Sequence, residues 1–148
     1  MRYDKILTVC SGNICRSPLA EHLLKPQLPN CFVASAGVTA WVGQGVDLKV
    51  IDAANRHHLN ISGLSKHNAK QLTPQMCIFA DLILVMEEKH IAAVAAIQPL
   101  ARSKIMLLGQ WTGQRNIPDP YRKDQAFFDN VYQQIADACN IWAKKLSH

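Results

Sequence analysis

The chain has 148 residues, 49% of them hydrophobic, and a formal net charge of +5. That length supports one domain with a real core, residues 1–148, and excludes two comfortable ones. The lysines are dispersed, with only Lys144 and Lys145 adjacent, so a nucleic-acid surface, which needs clustered cations interleaved with aromatics, is not expected. No stretch is long and apolar enough to span a bilayer, and the first apolar run is too short for a signal peptide, so no membrane insertion is expected. The five cysteines lack paired spacing, which fits a reducing compartment and a cytoplasmic protein.

Lys5 to Cys10 reads as a first strand, near-continuously apolar and therefore covered on both faces. A tight loop follows, and Ser17 is placed as the N-cap of a helix that runs to about Lys25, where Pro26 and Pro29 prevent its continuation. Cys31 to Ser35, closed by Gly37, reads as a second strand, and Val38 to Val46 as a loop holding Trp41. Asp47 caps a helix with apolar positions Val50, Ile51, Ala54 and Leu59; Ile61 to Leu72 is turn-like, with a short helix near Lys66. Thr73-Pro74 has the form of a cap and first helical position.

Asp81 to Met86 is the clearest central strand, followed by an alanine-rich helix from Glu87 to Gln98 that Pro99 closes. Lys104 to Leu108 is the fourth strand, and Gly109 to Lys123 a long loop of the kind that usually carries function. The last helix begins near Asp124 and presents Phe128, Val131, Ile135, Cys139, Trp142 and Leu146 on one face. Strands alternating with helices imply an α/β fold with a parallel sheet and right-handed crossovers. Ligands of such sheets bind beyond the carboxyl ends of the strands. The loops carrying Cys10, Trp41 and Asp119 all emerge there.

The stretch Val9 to Pro18 stands out chemically. A loop between strand and helix turns backbone N–H groups inward and ends on a positive helix N-terminus, which makes an anion site. Cys10 opens that loop and Arg16 closes it. A cysteine so placed has its thiolate stabilised, and a guanidinium grips two oxygens of a phosphate at once. Taken alone, Cys10 is also what a buried strand end would show, and Asp119-Pro120 is also an ordinary turn. A mild excess of positive charge suits an enzyme that steers anionic phospho-substrates.

The run Cys10-Ser11-Gly12-Asn13-Ile14-Cys15-Arg16-Ser17-Pro18, with Ala20-Glu21 after it, resembles the signature of the low-molecular-weight protein tyrosine phosphatases. The resemblance continues through Ser35-Ala36-Gly37, the segment from His67 to Leu72, and Asp119-Pro120-Tyr121, and so covers essentially the whole chain. It implies a three-layer, flavodoxin-like sandwich with a four-stranded parallel sheet in the order 2-1-3-4. Cys10 is then the nucleophile, Arg16 the phosphate grip and Asp119 the general acid. Residues Ser11 to Ser17 bind phosphate, and Trp41 and Tyr121 sandwich an aromatic ring. Asn13 is held by Ser17, Ser35 and His67, and Cys15 can form a reversible disulfide with the nucleophile. No cofactor or metal is implied, and phosphate and vanadate are expected inhibitors.

The implied substrate is a phosphotyrosine protein, namely an autophosphorylating bacterial tyrosine kinase that controls capsule or exopolysaccharide export. Alternatives on the same fold are an arsenate reductase and a protein arginine phosphatase. A non-catalytic phosphate-binding module is the alternative of another class. Two departures stand out: prolines frequent in the family are absent from Gly45 to Leu48, and Lys70 occupies a position usually held by arginine.

Overall fold

In the computed structural model, which describes residues 3–147, every residue of β1 (Lys5–Cys10) after the first is buried. Its side chains alternate between two apolar layers, because successive residues of a strand point to opposite faces. Ile6 and Cys10 enter one layer with α1 (Arg16–Leu24), α2 (Leu48–Arg56) and α5 (Gln125–Leu146). Leu7 and Val9 enter the other, with α3 (Pro74–Phe79) and α4 (Glu88–Ile97). The remaining strands are β2 (Phe32–Gly37), β3 (Leu82–Val85) and β4 (Ile105–Leu107). All pairings are parallel, in the order β2-β1-β3-β4. The chain is therefore the three-layer α/β sandwich that the resemblance implied.

The register aligns Cys10 with Gly37 and Val9 with Val85, so the loops after β1, β2 and β3 leave the sheet side by side. The apolar stripe of α5 from Phe128 to Leu146 is buried as its spacing predicts, each large side chain contributing about 1.5–3 kcal/mol. Asp47, Thr73 and Asp124 cap α2, α3 and α5 through their side chains. The turn near Lys66 is a single 3-10 turn, Leu64–Lys66.

Ser17 is not a helix cap. The helix begins at Arg16 behind Cys15, and the Ser17 hydroxyl is held by the preceding loop instead. β2 begins at Phe32 and continues through Gly37, and β3 is shorter than expected. Its flanking Asp81 turns a carboxylate oxygen to the backbone N–H groups of Asp4 and Lys5, which fixes the start of β1. Leu59 lies beyond α2, because the chain leaves the helix through His58 at a φ of 60°. The segment after β4 opens with a 3-10 turn, Leu108–Trp111, pinned where Trp142 Nε1 donates to the Leu108 carbonyl at 2.8 Å.

Candidate active site

The loop between β1 and α1 is built so that its carbonyls face away from its hollow. The carbonyls of Cys10, Ser11, Gly12 and Ile14 accept from Val38, Thr39, Trp41 and Asp47 N–H groups at 2.9–3.0 Å. The Asn13 carbonyl accepts from His67 Nε2 at 2.7 Å. With its carbonyls held outward, the loop turns its N–H groups the other way. Among the described residues, none of these groups from Ser11 to Arg16 has a protein acceptor. Such a ring of donors at a helix N-terminus is an anion cradle. The shape needs two special backbones. Asn13 takes φ 59°, a conformation asparagine tolerates better than most residues. A Cβ on Gly37 would sit 2.5 Å from the Ser11 carbonyl oxygen, so only glycine lets β2 approach the loop this closely.

Buried hydrogen bonds hold the loop from behind. Asn13 is fully satisfied: its Nδ2 donates to Ser17 Oγ at 2.8 Å and Ser35 Oγ at 3.0 Å, and its Oδ1 accepts from the Lys70 backbone N–H at 2.9 Å. Ser35 Oγ donates onward to Glu21 Oε1 at 2.6 Å. The Ser17 hydroxyl hydrogen is then left for Cys10 Sγ at 2.9 Å, with the Ala36 carbonyl more distant at 3.4 Å. A hydroxyl donating to sulfur stabilises the thiolate. Burial alone would neutralise Glu21, but bonds from Lys25 and Ser35 win and hold its carboxyl below the usual range. Burial pushes the His67 imidazole down, so the neutral ring donates through Nε2 to Asn13.

The buried polar side chains of the described residues are Thr8, Asn13, Arg16, Ser17, Glu21, Ser35 and His90. Each bonds to this loop or to a residue that holds it, since an unpaired polar group there would cost 1–3 kcal/mol. Arg16 is 2% exposed. Its Nη1 donates to Glu87 Oε2 at 2.6 Å and to the Ile117 carbonyl at 2.8 Å, and its Nη2 lies 3.8 Å from Asp119 Oδ2. Arg16 in turn lowers the Glu87 carboxyl against the opposing effect of burial.

One cavity of about 210 Å³ is lined by Cys10, Ser11, Gly12, Ile14, Cys15, Arg16, Thr39, Trp41, Asp119 and Tyr121. The structure thus brings the nucleophile, guanidinium and carboxylate candidates to one space. Asn13, Ser17, Ser35 and His67 stand behind its wall. Trp41 and Tyr121 meet edge to face, with centroids 5.0 Å apart and planes at 80°. That contact leaves no slot between the rings, so a sandwiched aromatic ring requires them to part. Burial, then Asp47, pushes the Cys15 thiol far up, which leaves it protonated at neutral pH beside Cys10. A larger groove of about 340 Å³ opens between β2 and α3, but no thiol lines it and the chemistry lies elsewhere.

Sequence reasoning missed Glu21 as a prop, Glu87 as the partner of Arg16, and His90 altogether. His90 Nε2 lies 2.9 Å from Ser11 Oγ, and its Nδ1 accepts from the Glu87 N–H at 3.1 Å. The available signal was a lone histidine on an apolar alanine-rich helix, three residues into it, where a helix cap receives its partner.

A cysteine loop of this form on a parallel α/β sheet has the parts that a cysteine-dependent phosphatase needs. The family described as low molecular weight phosphotyrosine protein phosphatase matches residues 5–148. Etp of Escherichia coli (strain K12), a low molecular weight protein-tyrosine-phosphatase, is 47% identical over 147 residues, covering 99% of this chain and 97% of that protein. The crystal structure of the tyrosine phosphatase AmsI of Erwinia amylovora superposes with a TM-score of 0.94 at 46% identity, covering 99% of this chain and 95% of that one. Vibrio vulnificus Wzb in complex with benzylphosphonate gives 0.92 at 46% identity, covering 97% and 99%. The chain belongs to the low molecular weight phosphotyrosine protein phosphatase family, and it is a protein-tyrosine-phosphatase, a phosphoric monoester hydrolase.

Proposed function

We propose that the chain hydrolyses phosphotyrosine through a phosphocysteine on Cys10. The observation that carries this reading is the single cavity lined by Cys10, Arg16 and Asp119. The Cys10 thiolate attacks phosphorus, the bond to the tyrosyl oxygen breaks, and Asp119 gives its proton to the departing phenolate. Water then attacks the phosphocysteine while the Asp119 carboxylate takes a proton. The S–P bond breaks, and phosphate and thiolate are released. Throughout, the loop N–H groups and Arg16 hold the equatorial oxygens, where charge is spread in the transition state. Trp41 and Tyr121 receive the aromatic ring, a role that the benzylphosphonate bound by Vibrio vulnificus Wzb supports.

The natural partner is an autophosphorylating bacterial tyrosine kinase of capsule or exopolysaccharide export, encountered in the cytoplasm. Support comes from the class of phosphatase that the sequence resembles and from the free thiols of all five cysteines. Among the described residues no helix is long and apolar enough to cross a membrane. The deciding experiment compares phosphotyrosine, phosphoserine and phosphoarginine peptides side by side, with acid quenching to trap the intermediate. Phosphotyrosine should lead, with phosphate found on Cys10. Preferential turnover of phosphoarginine, or no label on Cys10, overturns the reading.

A further inference from the structure

The bond between His90 and Ser11 has a direction that the geometry fixes. His90 is 2% exposed, on the first turn of α4. Its Nδ1 accepts the Glu87 N–H at 3.1 Å, so in the neutral ring the hydrogen resides on Nε2. Nε2 therefore donates to Ser11 Oγ at 2.9 Å, and the serine oxygen is the acceptor. Burial, then the neighbouring Arg16, pushes the His90 pKa down to about 4, so the ring is neutral under ordinary conditions.

Ser11 follows Cys10 directly and lines the same cavity. Its hydroxyl has one hydrogen. With a lone pair taken by His90, that hydrogen is free to donate elsewhere, and among the described residues no protein acceptor takes it. We propose that His90 is a positioning residue for the reaction: it holds Ser11 Oγ as an acceptor, so that the Ser11 O–H donates to a phosphoryl oxygen in the cradle. Ser11 thus adds a side-chain donor to the loop amides and Arg16. The inference rests on the proposed reading of the loop as a phosphate cradle.

The same turn between β3 and α4 serves the rest of the site. Glu87 holds Arg16 Nη1, the Met86 carbonyl accepts from the Ile117 N–H at 2.9 Å, and the Glu88 N–H donates to Asn116 Oδ1 at 2.7 Å. His90 thus stands on the element that holds the guanidinium and anchors the segment leading to Asp119.

The test measures competitive inhibition by inorganic phosphate together with kcat/KM on a phosphotyrosine peptide. Ser11→Ala should weaken phosphate and lower kcat/KM by about 10-fold each, the usual loss for a hydrogen bond to a charged group. His90→Ala should reproduce that loss, yet in the Ser11→Ala background it should add less than about 2-fold. His90→Gln, whose amide can accept from Glu87 and donate to Ser11, should restore most of the affinity. Ser11→Ala is a small change at a partly exposed position, so it remains decisive if His90→Ala folds poorly. Phosphate affinity unchanged in Ser11→Ala, or losses that multiply in the double variant, overturns the proposal. A wild type that binds phosphate but does not turn over phosphotyrosine sinks the phosphatase reading instead, and the phosphate affinities still decide this one.

Discussion

The two loops that close the cavity are held in opposite ways. The Cys10 loop is locked: its carbonyls are bonded outward, Asn13 is buried with its side-chain amide fully satisfied, and Arg16 is 2% exposed. The Asp119 segment is loose at its tip. Asp119 is 49% exposed on its side chain, and its partners among the described residues are the Tyr121 N–H at 3.1 Å and Arg16 Nη2 at 3.8 Å. Behind it, Ile117 and Asn116 tie the segment to Met86 and Glu88 at the start of α4, and Arg115 Nε lies 3.6 Å from Glu88 Oε1. The difference matches two demands. A cradle for a developing charge works best when its dipoles are fixed beforehand. An acid that gives up and later retrieves a proton needs contact with water and room for the leaving group.

The largest expected effects lie in the locked loop. Cys10→Ser should abolish steady-state turnover while inorganic phosphate still binds, because the amides and Arg16 remain. Measurable hydrolysis by that variant would refute the covalent route. Arg16→Lys should cost more than about tenfold in kcat/KM, or ~1.4 kcal/mol, since a point charge cannot serve Glu87, Ile117 and a phosphate together.

The loose segment makes the next prediction. Asp119→Asn should slow phosphotyrosine cleavage by about 10²–10³, the usual range for lost acid catalysis. Aryl phosphates with acidic phenols should lose far less, because their anions leave unaided. A plot of log rate against leaving-group pKa for the phosphorylation step should be shallow for wild type and steep for the variant. Parallel lines would leave Asp119 as a turn residue only.

Acid should separate the two regions further, because the locked loop depends on neutral histidines, His90 buried and His67 half-buried. The unfolded chain protonates a histidine near 6.5, whereas folded His90 does so at about 4. Burial holds the value down, helped by Arg16 and Lys89 facing the ring, while Glu87 and Asp119 oppose them. Between those values the unfolded state binds a proton that the native state refuses, so stability falls as pH falls, by on the order of 2 kcal/mol. His22 and His67 are shifted the same way and add to the slope. The lowered carboxyls of Glu21 and Glu87 withdraw their contribution only below about 4.5. The urea midpoint should therefore drop between pH 7.5 and 5, and His90→Gln should flatten part of that drop. A midpoint constant over the interval contradicts the buried neutral ring.

The contrast also explains what the sequence could reveal. The cradle is contiguous, and strand, glycine, arginine and helix start follow one another within ten residues, so local physics suffices to read it. Asp119 carries no such signal, because Asp-Pro is a common turn and only resemblance singles it out. Glu87 and His90 reach the loop across 71 and 79 positions, and no local pattern records a contact of that span. Ser17 misleads for a physical reason. Serine before proline at a helix start has the form of a cap, but here Cys10 and Asn13 compete for the hydroxyl and win.

Lys70 makes the smallest prediction and the most discriminating one for the locked loop. It stands where the family usually has arginine, yet its contacts to the loop are made by backbone: its N–H donates to Asn13 Oδ1, and its carbonyl accepts from the Gly37 N–H at 2.9 Å. The side chain is exposed and, among the described residues, forms no ion pair. Lys70→Ala and Lys70→Arg should therefore leave kcat/KM within about 2-fold of wild type, as surface substitutions away from such features usually do. Lys70→Pro removes the N–H and leaves the buried Asn13 oxygen without its donor, at a cost of about 1–3 kcal/mol. The three variants separate the chain from the side chain. If Lys70→Ala lost activity as Lys70→Pro does, the ammonium group rather than the backbone would be supporting the loop.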